Sequence, residues 1–284
     1  MFADVLVPVD GSESGAVDHA VSVAATYGAT LHALSIREGG VETDTGDDRR
    51  TAREGADPAF EYVEHRCNGE NVPVVRAVGS GDRANAVLRY AESAGVDLVV
   101  VGGQHRGRVS RLLGAGVAER VSAGATAPVL VVPKGAAARP PYRRLLLATD
   151  GQAGSRRAET CAFDLARAYG AGLHVLYVVD SRFGESGALH NLLDREAASV
   201  GRDLRSRAAR AGAEVTVAVR EGRPGTEILD YAGANDVDLI VVGTQGRAGI
   251  ERVLMGSVAR RVLDGASVPV LTARVLQSGP RAGS

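Results

Sequence analysis

Two patterns of apolar residues take turns along this chain. Short runs rich in Val, Leu, Ile and Ala alternate with longer stretches in which apolar residues recur every three or four positions. In the second half an apolar run at 144–149 ends in Asp150-Gly151. It is followed by 155–169, where Ala158, Cys161, Ala162, Leu165 and Ala168 fall at helical spacing. Further short runs at 173–179, 214–219, 238–242 and 268–273 predict strands, and the stretches between them are long enough for crossover helices. Strands that are apolar throughout need cover on both faces. The pattern therefore predicts an α/β fold with a doubly wound parallel sheet and right-handed crossovers.

That prediction applies twice, because the pattern repeats along the whole chain. The opening strand 5–12 (VLVPVDGS) matches 145–152 (LLLATDGQ), and 27–36 (YGATLHALSI) matches 169–178 (YGAGLHVLYV). Near the end of each half, Ala127-Pro128-Val129-Leu130 matches Val268-Pro269-Val270-Leu271. Each unit is about 140 residues, an ordinary domain size. The reading is two tandem domains, 1–138 and 142–276, joined by 135–141 (GAAARPP), whose paired prolines disfavour helix and predict a short, fairly stiff link. The polar stretch 39–58 reads as a mobile loop, and the tail 277–284 as disordered.

The repeat is altered at one place. Residues 99–117 (VVVGGQHRGRVSRLLGAGV) return as 240–258 (IVVGTQGRAGIERVLMGSV), and the differences fall on glycines. In an open parallel sheet, ligands bind beyond the carboxyl ends of the strands, where crossovers diverge. In the second half Ala148-Thr149-Asp150, Val178-Val179-Asp180 and Gly243-Thr244-Gln245-Gly246 converge there. The last leads through Arg247 to Gly256-Ser257 and a predicted helix at 258–263, whose first turn offers unpaired N–H groups. Glycine at 243 and 246 lets the backbone turn with positive φ and approach a phosphate with no Cβ in the way; Gly256 allows the same approach at the helix start. Ser257 can cap that helix and offer its hydroxyl, Arg247 can supply charge, and Asp150 can accept from an adenine amino group or a ribose hydroxyl. Taken singly, each of these residues is a turn glycine or a cap.

Taken together they resemble the universal stress proteins in their tandem two-domain form, over nearly the whole chain. That family's nucleotide signature is Gly, two residues, Gly, nine residues, Gly, then Ser or Thr, and Gly243, Gly246, Gly256 and Ser257 meet it in full. The resemblance implies an adenine nucleotide alpha hydrolase-like, Rossmann-like fold. It also implies ATP, with or without Mg2+, held by Ala148, Thr149, Asp150, Val178, Gly243, Gly246, Gly256, Ser257 and Val258, to which Arg247 adds a candidate charge, with the halves paired through their final strands and a further homodimer open. The first half keeps Pro8-Val9-Asp10 and Gly102, but His105 stands at the second glycine and Ala115-Gly116 at the final pair. A Cβ and an imidazole there block close approach, so the first site is expected to be degenerate.

Composition narrows the alternatives. With 45% hydrophobic and 24% charged residues and a formal charge of −1, the chain has apolar material for two cores and no electrostatic bias toward nucleic acid. No apolar run reaches bilayer length and Phe2-Ala3-Asp4 leads straight into a strand, so no membrane association and a cytoplasmic location are expected. Cys67 and Cys161 occupy non-equivalent places and show no metal-ligand spacing; they read as buried, unreactive thiols. His32 and His174 are equivalent, which favours a structural role. The motif Gly79-Ser80-Gly81-Asp82-Arg83-Ala84 fits a loose dinucleotide pattern but lacks the acidic residue expected at the end of the next strand, and it reads as a plain strand-to-helix turn. No Walker loop and no nucleophile elbow is present, and Asp150 and Glu251 are not obviously placed to support a metal. No catalytic residue is assigned. The expectation is a stress-response regulatory protein that binds nucleotide in its second half. The alternatives are a nucleotide-independent scaffold or chaperone-like protein, and a slow ATPase.

Overall fold

A computed structural model describes residues 1–9, 14–37, 58–103, 116–136, 140–180, 187–210, 212, 214–244 and 255–274. The first half runs β1 (Asp4–Val9), α1 (Ser14–Tyr27), β2 (Thr30–Arg37), α2 (Pro58–Glu70), β3 (Val74–Ser80), α3 (Arg83–Ser93), β4 (Leu98–Gly103), α4 (Val117–Gly124) and β5 (Val129–Pro133). The second runs β6 (Arg144–Ala148), a short 3-10 turn (Ala153–Ser155), α5 (Arg156–Tyr169), β7 (Gly172–Asp180), α6 (Gly187–Arg210), β8 (Val215–Gly222), α7 (Pro224–Ala234), β9 (Leu239–Gly243), α8 (Ser257–Gly265) and β10 (Val270–Ala273). The predicted loop at 39–58 lies almost wholly outside the described residues, as does the tail at 277–284.

The ten strands among the described residues form one sheet in the order β3-β2-β1-β4-β5-β10-β9-β6-β7-β8. Every pairing is parallel except that of β5 with β10, which is antiparallel. In that junction Leu130 faces Leu271, with Val131 opposite Val270 and Val129 opposite Thr272. Leu130 and Leu271 are equivalent in the repeat, so an approximate two-fold axis passes between them. Mating these strands removes two sheet edges that would otherwise be open to other chains.

The central strands are unbroken apolar runs because helices cover both of their faces. Helices α1, α2, α5 and α6 cover one face and form a single core that crosses both halves. Helices α3 and α4 cover the other face of the first half, and α7 and α8 that of the second. Leu145, Leu146 and Leu147 of β6 are all fully buried, each stabilising the fold by about 1.5–3 kcal/mol relative to exposure. The outermost strands β3 and β8 are only half-covered, and Val75 and Val219 on them are exposed.

Candidate functional site

The sheet reverses its direction of winding between β6 and β9, where Ala148 pairs with Val242. Just beyond this switch point the chain leaves β6 through Thr149, Asp150 and Gly151. Thr149 is buried; its N–H donates to the Leu176 carbonyl at 3.2 Å and its hydroxyl donates to Glu159 Oε1 at 2.8 Å. The same hydroxyl oxygen accepts the Gly151 N–H at 3.0 Å. Gly151 has φ +71°, a conformation that favours glycine, and a Cβ there would lie 2.8 Å from Val200 Cγ1 on α6. Asp150 Oδ1 accepts from the Gln152 N–H at 3.0 Å and from the Ser155 hydroxyl at 2.8 Å. Its Oδ2 has no bond among the described residues.

On the opposite side of the switch point, β9 ends at Gly243. A Cβ on Gly243 would stand 3.3 Å from both the Gly154 carbonyl and Ser155 Oγ. The Ser155 hydroxyl thus links Gly243 to Asp150. The Thr244 hydroxyl follows; it is buried and has no hydrogen-bond partner among the described residues. The Thr244 carbonyl accepts the Gly256 N–H at 2.8 Å, which closes the loop back onto the start of α8. Ala148 and Met255 are buried in one apolar cluster, with Val178 and Val258 packed against it.

Eight of the ten sequence-predicted residues therefore lie at this switch point or on the elements that frame it. The other two, Gly246 and Arg247, lie outside the described residues, as do His105, Ala115, Asp10 and Glu251. Two expectations about individual residues are corrected. Gly243 is not a positive-φ residue; what surrounds it is the 3-10 turn, into which a Cβ would project. Ser257 is not the N-cap of α8: Gly256 holds that place with φ −61° and ψ 149°, and Ser257 is the first helical residue. In the first half the equivalent residue, Gly116, is itself the N-cap, so α4 is one residue shorter at its start. Sequence reasoning also missed Ser155, which bonds Asp150, Met255, which is buried beside Ala148, and the buried pair Glu159 and Arg207.

Outside the switch point the motifs behave as structural features. Gly81 has φ +88°, Asp82 caps α3 by accepting the Asn85 N–H at 3.0 Å, and Arg120 grips the same carboxylate at 2.6 and 2.8 Å. That hydrogen bonding holds the Asp82 carboxyl down at about 2. Burial pushes the Cys161 thiol up to about 12 and Cys67 to about 11, the opposite of what a thiolate nucleophile needs. His32 bonds Tyr90 and Asp4, and His174 bonds Tyr231 at 2.8 Å, so both rings tie a strand to a helix. Among the described residues no cluster of three or more metal-ligating side chains occurs. No helix among them is long and apolar enough to cross a membrane.

The fold and this site define a tandem, doubly wound α/β protein of the Rossmann-like kind. The model of the universal stress protein family matches residues 1–133 and again 141–274. The chain belongs to the universal stress protein family and carries its domain twice. A universal stress protein of Methanocaldococcus jannaschii is 34% identical over 140 residues, 47% of this chain and 82% of that protein. One of Mycolicibacterium smegmatis is 30% identical over 218 residues, 73% of this chain and 72% of the relative. Among solved structures, a putative universal stress protein of Pseudomonas aeruginosa superposes with a TM-score of 0.69 at 21% identity, covering 96% of this chain and 93% of its own; that likeness is one of fold.

Proposed function

We propose that this protein is a stress-response regulatory protein of the cytoplasm whose second domain, 142–276, binds an adenine nucleotide, ATP first among them. The observation that carries this reading is the convergence at the second switch point. Ala148, Val178 and Val258 share one apolar cluster suited to a base, and Asp150 keeps one carboxylate oxygen beside it. The nine-residue helix α8 starts at the same place, with first-turn N–H groups and a positive dipole end suited to phosphate. Gly246 and Arg247 complete the phosphate loop in this reading, and Mg2+ accompanies the nucleotide as its counter-ion. The first domain, 1–138, serves as the structural partner of the second, and a homodimer of such chains is a further level of assembly. The residues support binding more than rapid hydrolysis.

Calorimetry of the purified protein against ATP tests this. Saturable binding to the wild type, abolished by Gly246→Arg, is the expected result. No heat of binding, together with no nucleotide co-purifying by mass spectrometry, would overturn it.

One observation favours a second reading, a nucleotide-independent scaffold. Gly243 is accounted for by its contact with Ser155, which is packing rather than ligand approach. On that reading Gly246→Arg leaves survival under stress unchanged even where it abolishes binding.

A further inference from the structure

The two halves differ beneath their switch points as well as in their glycines. Val17 is the fourth residue of α1 and is buried in the core that crosses both halves. The fourth residue of the equivalent helix α5 is Glu159, with only 1% of its surface exposed. Likewise Val9 at the end of β1 is replaced by Thr149. Helix α2 carries Arg66, whose guanidinium reaches the half-exposed Asp18 at 2.7 Å. Its equivalent on α6, Arg207, instead turns inward onto Glu159 Oε2, with Asp203 Oδ2 3.1 Å from its Nε. An apolar pair in one half has thus become a buried, charged chain in the other: Arg207 to Glu159, Glu159 to the Thr149 hydroxyl, and that hydroxyl to the Gly151 N–H.

The direction of this chain is set by chemistry. A carboxylate only accepts, so Glu159 takes the single hydroxyl proton of Thr149 and leaves the hydroxyl oxygen free to accept from Gly151. Gly151 is the left-handed residue of the turn that carries Asp150, and Val200 of the same helix α6 presses on its bare Cα face. A buried ion pair contributes little net stability compared with apolar residues of similar size, so stability alone does not explain its presence in only one half.

We infer that Glu159 and Arg207 are positioning residues: through Thr149 they lock the turn 149–151, and so fix Asp150 for a nucleotide base or ribose. This rests on the nucleotide-binding reading above. It assigns the asymmetry between the halves to a support beneath the turn as well as to the phosphate loop.

The test uses the full chain, ATP as the probe, and three variants. In Glu159→Val/Arg207→Met the buried charges leave together, as the first half's Val17 shows is compatible with the fold. The expected result is a retained native fold, an ATP Kd raised roughly tenfold, and faster exchange of the Gly151 amide by NMR. Thr149→Val, which leaves the ion pair intact, should raise the Kd and speed the Gly151 exchange in the same way. Arg66→Met, in the first half, should change neither. An ATP Kd unchanged in both second-half variants, or a Gly151 amide that stays protected in them, overturns the proposal. If the wild type binds no ATP, the functional reading falls, and the Gly151 exchange alone decides whether Glu159 and Arg207 lock the turn.

Discussion

At Gly243 one methyl group separates two accounts of a glycine. The sequence suggested a residue freed for positive φ, whereas the structure has a strand-end residue with Ser155 Oγ and the Gly154 carbonyl 3.3 Å from where a Cβ would sit. Since one of those neighbours is backbone, Gly243→Ala should force the 3-10 turn outward, at a cost of about 1–3 kcal/mol, read from the urea midpoint. Ser155 holds Asp150, so on the proposed nucleotide-binding reading affinity should fall with it; full affinity in a destabilised Gly243→Ala protein would separate the two effects. His174 offers a second test at this scale. Burial, and then the neighbouring Arg144, lower its pKa from the usual histidine range. A histidine held neutral in the folded state contributes stability that is complete above its unfolded pKa, about 6.5, and is lost as pH falls through the lower folded value. Unfolding free energy should therefore decline on acidification below about 6.5, and Arg144→Met should raise the His174 pKa seen by NMR and narrow that window.

At the scale of elements, the pairing of α4 with α8 across the approximate axis carries its own prediction. Glu119 and Arg260 are equivalent positions in the repeat, yet they bear opposite charges and meet at 3.0 Å. Glu119→Arg places like charges together, as does Arg260→Glu, while the double reversal restores the pair. Arg260 is about half-exposed, so a double-mutant cycle should give a coupling of about 0.2–1 kcal/mol, shrinking with added salt. Elements of this kind were legible in the sequence, because buried parallel strands leave unbroken apolar runs and helices leave a 3.6-residue repeat. The ends were less so. Ladder hydrogen bonds carry β7 through Asp180 and β8 through Gly222, past the last apolar residue, and α8 starts at Ser257 because Gly256 takes the cap. The glycine spacing pointed to the end of β9 and the start of α8, and the strand ends to Ala148, Thr149, Asp150 and Val178. Glu159 stayed hidden because a carboxylate at a core position of α5 reads as an exposed residue, and its partner Arg207 lies 48 residues away on another helix. Only packing brings them together, so nothing local in the chain could announce the pair.

For the whole molecule the decisive feature is the single sheet. The β5–β10 junction is short, but it is reinforced on both faces. A core spans both halves on one side, where Tyr27 donates to Asp164 at 2.6 Å and its equivalent Tyr169 bonds Ser22 at 3.3 Å, as the approximate two-fold axis requires. His19 meets the buried Tyr142 hydroxyl at 2.7 Å, and Arg157 reaches the Thr126 carbonyl at 2.5 Å, both across the halves. Burial of this continuity should make the halves unfold as one cooperative unit. A ligand that binds only the second half then stabilises the first as well. At a free ATP concentration of one hundred times Kd the gain is about 2.7 kcal/mol for the native state, and it should appear as a single shifted thermal transition. Native-state hydrogen exchange makes the claim specific. The amides of the fully buried β1 residues Leu6 and Val7 should open only by global unfolding if the sheet is one unit, so ATP should slow them by the same factor as those of β6. Protection that rises in β6 alone would mean that the halves open independently, and that the junction joins two domains without making them share their stability.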